Sequence, residues 1–91
     1  MLDRAEVNQA LKTYICELGK MPNYPLQDDE SLVDSGLLDS FALVEVSVFI
    51  DTEFGVDIPD EAVNIDDMAT LAQIVDAVLY WEQHQSDAEL S

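Results

Sequence analysis

Apolar residues recur at intervals of three and four along three stretches of this chain, the spacing that gives an α-helix one buried face. The first stretch is predicted to be helical from about residue 4 to 18. Asp3 and Glu6 have the spacing of an N-terminal capping box, and Gly19 suits a left-handed C-terminal position. Cys16 lies opposite the apolar stripe and is predicted to be an inert surface thiol. The stripe consists of Val7, Leu11, Tyr14, Ile15 and Leu18.

The second predicted helix, from about residue 40 to 54, has two apolar faces. Asp39 is suited to cap its N-terminus and Gly55 to end it. A small core buries only one face of such a helix, so the other face is predicted to bind a partner. Alternatively, the preceding loop covers this second face. The predicted core face consists of Leu43, Val46, Ile50 and Phe54, and the outer face of Phe41, Val44 and Val48 with Glu45 and Asp51 around them.

Two further helices are predicted in the last third of the chain. A short one covers about residues 59–64, because Pro59 is suited to a first helical turn. A longer one begins at a second capping pair, Thr70 and Gln73, and continues to about residue 81. Its apolar stripe consists of Leu71, Ile74, Val75, Val78 and Leu79.

A long loop, residues 19–38, connects the first two helices and delivers the chain to Ser40. The fold is therefore predicted to be all-α, a four-helix bundle with three longer helices and one short helix. We expect one domain over residues 1–83 and a flexible C-terminal tail over residues 84–91. The apolar loop residues predicted to pin the loop to the core are Leu26, Leu32, Val33, Leu37 and Leu38.

The chain is strongly acidic, with a formal net charge of −17 from 20 acidic and 3 basic residues among 91. Such a surface repels nucleic acid and anionic lipid and attracts basic protein patches. Apolar residues make up 48% of the chain, too many for a disordered segment. Because neither a membrane-spanning run nor a signal peptide is visible, we expect a cytoplasmic protein. We also expect a monomer that, because of its charge, binds neither nucleic acid nor membrane. The acidic run at residues 28–30 is expected to be a solvated loop, with a cation site or a partner contact as the alternative.

Ser40 is predicted to be the chemically important residue. It takes the first helical position, and its hydroxyl is free to face solvent because Asp39 supplies the cap. The helix dipole favours an anion at this point by about 0.3–1 kcal/mol. No residue nearby in sequence resembles a base that would activate Ser40, so its hydroxyl is interpreted as a handle that another enzyme modifies. Ser35 also follows an aspartate but precedes Gly36 in the loop, and it is not expected to be modified.

With these features, the chain resembles the acyl and peptidyl carrier protein family over a segment from about Val7 to Val78. The residues that carry the resemblance are Leu37-Leu38-Asp39-Ser40-Phe41, then Glu45, then Phe54-Gly55-Val56-Asp57-Ile58-Pro59-Asp60-Glu61. In that family the serine of an Asp-Ser-Leu motif carries covalent 4'-phosphopantetheine, which implies attachment at Ser40, although Phe41 stands where the family usually has leucine. The helix after the serine is the family's recognition helix. The resemblance therefore implies partner binding by Asp39, Phe41, Val44, Glu45, Val48 and Asp51.

The resemblance implies a discrete carrier rather than an enzyme. It would hold acyl intermediates as thioesters on the arm and shuttle them between enzymes of fatty acid or polyketide biosynthesis. The alternative is an aminoacyl or D-alanyl carrier loaded by an adenylating ligase, as in nonribosomal peptide synthesis. The implied partners are a phosphopantetheinyl transferase, a loading ligase or transferase, and downstream synthases with basic docking patches.

Two other classes of function are alternatives to a carrier. Charge alone also allows an unmodified acidic interaction module, which would leave the Asp39-Ser40 helix start and the second apolar face unexplained. The lack of a His/Cys cluster in the sequence argues against a metal enzyme.

Overall fold

The computed structural model describes the backbone of residues 2–90 and the side chains of residues 2–84. Over this range the protein is all-helical and contains no strand, only an isolated β-bridge between Ser31 and Thr70. The elements are α1 (Arg4–Leu18), α2 (Ser40–Phe54), a one-turn 3-10 helix (Asp60–Ala62) and α3 (Leu71–Leu90). The predicted fourth, short helix is present only as that 3-10 turn, so a four-helix count is not confirmed.

The limits of α1 and α2 agree with their predicted caps. The Asp3 carboxylate accepts a hydrogen bond of 3.0 Å from the Ala5 amide, and the Asp39 carboxylate accepts one of 2.7 Å from the Ala42 amide. Gly55 ends α2 in the left-handed region, with φ of 68°. Each side-chain cap satisfies an amide that has no partner within its helix, so both helices begin where the sequence predicts.

The helix α1 ends at Leu18 as predicted, but the conformation of its C-terminal cap differs from the prediction. Gly19 has φ of −80°, and the left-handed residue is Lys20, with φ of 61°. Gly19 instead allows close packing, because a Cβ atom there would lie 2.8 Å from Leu37 Cδ2 and 3.3 Å from Leu37 Cα, so that a larger residue would require Leu37 to shift. The glycine thus allows the long loop to pass directly over the end of α1.

The core is formed by the predicted stripes of the three α-helices. Their central residues are at most 1% exposed, and α1 packs against both α2 and α3. Phe54 and Leu79 are only partly buried at the edge of this core. The fully buried helical residues are Val7, Leu11, Ile15, Leu43, Val46, Ile50, Leu71, Ile74, Val75 and Val78.

The long loop is attached to the core by apolar side chains and by backbone hydrogen bonds to the start of α3. The Leu32 amide donates to the Ala69 carbonyl at 2.8 Å, and the Ala72 amide donates to the Asp28 carbonyl at 3.0 Å. Leu26, Leu32, Leu37 and Leu38 are buried as predicted. The prediction for Val33 is wrong, since that side chain is 38% exposed.

Cys16 is buried, so its predicted surface position is wrong. The loop folds over this side of α1 and places the Cys16 thiol 3.8 Å from the Tyr24 carbonyl. Burial, the largest effect, raises the pKa of the thiol, and the Glu30 charge adds to this rise against the opposing charge of Lys12. The thiol is therefore held protonated, in the form that is not nucleophilic.

Helix α3 begins as predicted but extends further. The Gln73 side-chain oxygen accepts from the Ala69 and Thr70 amides at 2.9 and 3.1 Å, and the Thr70 hydroxyl accepts from the Gln73 amide at 3.2 Å. The helical backbone continues to Leu90 rather than ending near residue 81. The side chains of residues 85–91 lie outside the described residues, so the flexible tail stays a prediction.

Within the described residues, none of the helices combines the length and the apolar character that a membrane span requires.

Candidate functional site

Ser40 is the first residue of α2 and is exposed. The neighbouring Asp39 carboxylate is used in the cap, and the Asp39 carbonyl accepts from the Leu43 amide at 2.9 Å. The Ser40 hydroxyl makes no hydrogen bond to any of the described residues. It therefore lies at the positive end of the helix dipole, available for a substituent and unused in the fold.

Ser35, the other serine that follows an aspartate, has a different environment. It is half-buried, its hydroxyl donates to the Glu30 carboxylate, and it lies 2.9 Å from the Ser31 carbonyl oxygen. The Tyr24 hydroxyl donates to the same carboxylate. The Ser35 hydroxyl is therefore part of a hydrogen-bond network inside the loop.

The Glu30 network was not predicted, because the acidic run was expected to be a solvated loop. Hydrogen bonds from Ser35 and, next, from Tyr24 lower the pKa of the Glu30 carboxyl, since both donors favour its ionised form. Asp28 also has a partner, as its carboxylate accepts from the Asn8 side-chain amide at 3.2 Å. Tyr24 precedes Glu30 and Ser35 follows it at a short distance in the sequence, and this pair is the signal that could have indicated the network.

A groove of about 440 Å³ adjoins the start of α2. It lies between the end of α1, the long loop and the first turn of α2, and both Asp39 and Ala42 line it. Lys20 also lines it and brings one of the three basic residues of the chain close to the N-terminus of α2. Sequence reasoning missed Lys20, because only the turn after α1 brings it to this position. A cation and a helix N-terminus beside an exposed hydroxyl fit a group attached through a phosphodiester.

The outer face of α2 is exposed over its whole length. Phe41 is 78% exposed, Val44 56% and Val48 57%. The alternative in which the loop covers this face is therefore wrong. The carboxylates predicted to surround these residues are exposed as well, namely those of Asp39, Glu45 and Asp51.

A small all-helical domain that presents a free serine hydroxyl at a capped helix N-terminus is suited to carry a group that another enzyme attaches. Residues 9–78 match the family model described as a phosphopantetheine attachment site. The chain therefore belongs to the family of phosphopantetheine-binding carrier proteins. Members of this family hold the cofactor covalently and are carriers rather than catalysts.

Two relatives agree with this assignment. The acyl carrier protein of Acidothermus cellulolyticus is 34% identical over 79 residues, which cover 87% of this chain and 88% of the relative. The acyl carrier protein of Thermobifida fusca is 29% identical over 73 residues, which cover 80% of this chain and 90% of the relative. The similarity thus extends over nearly the whole length of both relatives.

Proposed function

We propose that Ser40 carries the phosphopantetheine arm and that the protein shuttles acyl intermediates, bound as thioesters, between enzymes of fatty acid or polyketide biosynthesis. The single observation that carries this proposal is the Ser40 hydroxyl, which is exposed at the capped start of α2 and makes no hydrogen bond to the residues that the structure describes. The two acyl carrier protein relatives support the acyl cargo. We place this function in the cytoplasm, in a monomer whose carrier domain spans residues 1–83.

Residues of this chain would support the attached arm. The terminal thiol of the arm supplies the thioester chemistry. Asp39 keeps the first turn of α2 in place, and the amide groups of that turn would hold the phosphodiester. Lys20, across the adjoining groove, offsets part of the added negative charge in a molecule that already carries −17.

We further propose that partners dock on the outer face of α2. Its exposed apolar residues would be buried against a partner, and the carboxylates around them favour a partner whose hydrophobic groove has a basic rim. The partners are a phosphopantetheinyl transferase, a loading enzyme and downstream synthases. The strong net charge favours fast and weak encounters, which suit a shuttle. The proposed docking residues are Asp39, Phe41, Val44, Glu45, Val48 and Asp51.

A second candidate cargo is an aminoacyl group, including D-alanine, loaded by an adenylating ligase. The observation that favours it is the large, exposed Phe41 directly after the proposed attachment site. The family usually has leucine at this position, whereas D-alanyl and other aminoacyl carriers are similar to this chain in having a larger apolar residue there. Because this residue lies on the surface that a loading enzyme would contact, it bears on which enzyme docks.

The test is intact-mass analysis of the full chain incubated with coenzyme A and a broad-specificity phosphopantetheinyl transferase. We expect the mass of one arm to be added. A panel of acyl-transferring and aminoacyl-activating enzymes then tests the cargo, and we expect acyl thioesters to form faster than aminoacyl thioesters. A protein that stays unmodified would instead favour an acidic interaction module, and preferential aminoacylation would favour the second candidate.

A further inference from the structure

A second groove, of about 470 Å³, lies between α1 and α2. Its floor is apolar. Tyr14 stacks on Phe49 with ring centroids 4.1 Å apart, and Ala10 lies beside them. The Tyr14 hydroxyl donates to the Glu45 carbonyl at 3.4 Å, which fixes one edge of the floor to α2. This aromatic pair is only partly buried, so the groove offers apolar surface to a ligand.

Among the described residues, the polar boundary of this groove carries negative charge and no positive charge. Three carboxylates line it, those of Glu6 and Glu17 on α1 and of Glu53 on α2. None of the basic residues of the chain lines it, and Arg4 instead pairs with Asp76 at 2.6 Å. The charge that would complement this groove must therefore come from a ligand.

The residues of α1 that line the groove have a regular order. Glu6, Ala10, Thr13 and Glu17 are spaced i, i+4, i+7 and i+11, which places them in one row along the helix. The row has a carboxylate at each end and small side chains in the middle. At 1.5 Å per residue its two carboxylates are about 16 Å apart along the axis, or three helical turns. A third helix laid along this row would meet an apolar centre between two negative ends.

We propose that this groove binds a basic amphipathic helix of a partner protein. Apolar side chains at two central positions would contact Tyr14 and Phe49. Lysine or arginine residues one turn beyond them on each side would pair with Glu6 and Glu17. This mode needs a complementary row of cation, apolar, apolar and cation, spaced i, i+4, i+7 and i+11.

The groove lies beside the outer face of α2, and none of the residues proposed for docking on that face lines it. On a helical wheel, Phe49 lies 100° from Val48, and neither Ser40 nor Phe41 lines the groove. A helix bound in this groove would therefore contact residues other than those proposed for docking on the outer face. The proposal does not depend on the phosphopantetheine arm, so its outcome is independent of the function proposed above.

The test is an NMR titration of the full-length Ser40→Ala protein with a synthetic 15-residue helical peptide. The peptide carries Lys at positions 2 and 13 and Leu at positions 6 and 9, with Ala and Gln elsewhere. Two control peptides are used. The first has the same composition with the Lys and Leu residues at scattered positions. The second keeps the Lys positions and has Ala in place of both Leu residues. We expect saturable shifts along the Glu6–Glu17 row and at Phe49, and weaker binding of both controls.

A matched pair of protein variants distinguishes binding by the carboxylates of the groove from attraction by the net charge of the molecule. The first replaces Glu6, Glu17 and Glu53 by Gln, and the second makes the substitutions Asp34→Asn, Glu61→Gln and Asp66→Asn at exposed positions outside the groove. Both variants lose three negative charges. We expect the first to weaken binding of the peptide roughly tenfold and the second by less than about threefold.

Several outcomes would overturn the proposal. Equal weakening by the two variants would mean that only the net charge attracts the peptide. Shifts centred on Phe41, Val44 and Val48 would place the peptide on the outer face of α2. Equal affinity of the peptide without leucine would show that the apolar floor is not engaged, and a lack of saturable binding would exclude the site altogether.

Discussion

Two serines that follow an aspartate differ in the availability of their hydroxyl groups. The Ser35 hydroxyl is held by Glu30, whereas the Ser40 hydroxyl has no partner among the described residues. We therefore predict that Ser35→Ala still gains the phosphopantetheine arm and that Ser40→Ala does not. Peptide mapping after incubation with coenzyme A and a transferase measures this. An arm found on Ser35, or on the Ser40→Ala protein, would contradict the prediction.

The hydrogen bonds to Glu30 predict a pH dependence of stability. The ordinary pKa of this carboxyl is 4.5, and Ser35 and Tyr24 lower it in the folded state. A pKa lowered by folding adds stability above the unfolded value, and this stability is lost as the pH falls through the folded value. Glu30→Gln should therefore reduce the free energy of unfolding at pH 7 relative to wild type, and the difference should shrink below about pH 4.5.

Chemical denaturation of both proteins from pH 7 to pH 3 measures this difference. The matched control is Glu61→Gln, since Glu61 is exposed on the 3-10 turn and makes no side-chain hydrogen bond among the described residues. It should change stability little at any pH. The Glu30→Gln and wild-type proteins could instead differ in free energy of unfolding by the same amount at pH 7 and pH 3. This result would show that Glu30 contributes through the shape of its side chain and not through its charge.

The two faces of α2 have different roles, since one face is buried in the core and the other is exposed and proposed for recognition. Ile50 is fully buried, so Ile50→Ala removes core contacts and leaves a cavity, at a cost of about 2–5 kcal/mol. Val48 is 57% exposed, so Val48→Ala should change the free energy of unfolding by less than about 0.5 kcal/mol. Denaturant titration of the two variants measures the contrast. Equal destabilisation would mean that the outer face is part of the core.

The same helix predicts an effect on transfer kinetics. Val48→Ala should slow the transfer of the arm or the cargo by a partner enzyme, because it removes an exposed apolar contact. Glu45→Lys should slow transfer mainly through the rate of encounter, with an effect that shrinks as salt rises. If both variants fold and transfer at the wild-type rate, partners dock elsewhere, and the α1–α2 groove and the acidic loop at residues 28–30 are the next surfaces to test.

At the scale of the whole molecule, the net charge of −17 should act against the compact state through self-repulsion. The Arg4–Asp76 ion pair is exposed at both ends and offsets little of this repulsion. We therefore predict that the melting temperature rises between low and moderate ionic strength. The Asp34→Asn, Glu61→Gln and Asp66→Asn variant carries less charge and should show a smaller rise. A melting temperature that is flat or falls with salt would show that repulsion is not significant.

The features that could be predicted from the sequence depend on residues close together in the chain. The starts of α1 and α2 follow from Asp3 and Asp39, since a capping side chain bonds to amides only two or three residues away. The buried stripes follow from the helical period, which places residues three and four apart on one face. The position of Ser40 at a helix start is equally local. For the same reason the family resemblance could be recognised from a short motif and its spacing.

Features that join residues far apart in the chain could not be predicted in this way, because they depend on how the helices and the loop pack together. The long loop folds over α1, and this buries Cys16, packs Leu37 closely against Gly19, and brings Lys20 to the groove beside Ser40. The α1–α2 groove likewise depends on Tyr14 meeting Phe49. Helical periodicity assigns residues to faces of one helix, but it does not say which distant segment covers a face. That choice is made by packing the whole core, where contacts between separated segments compete for the same buried volume.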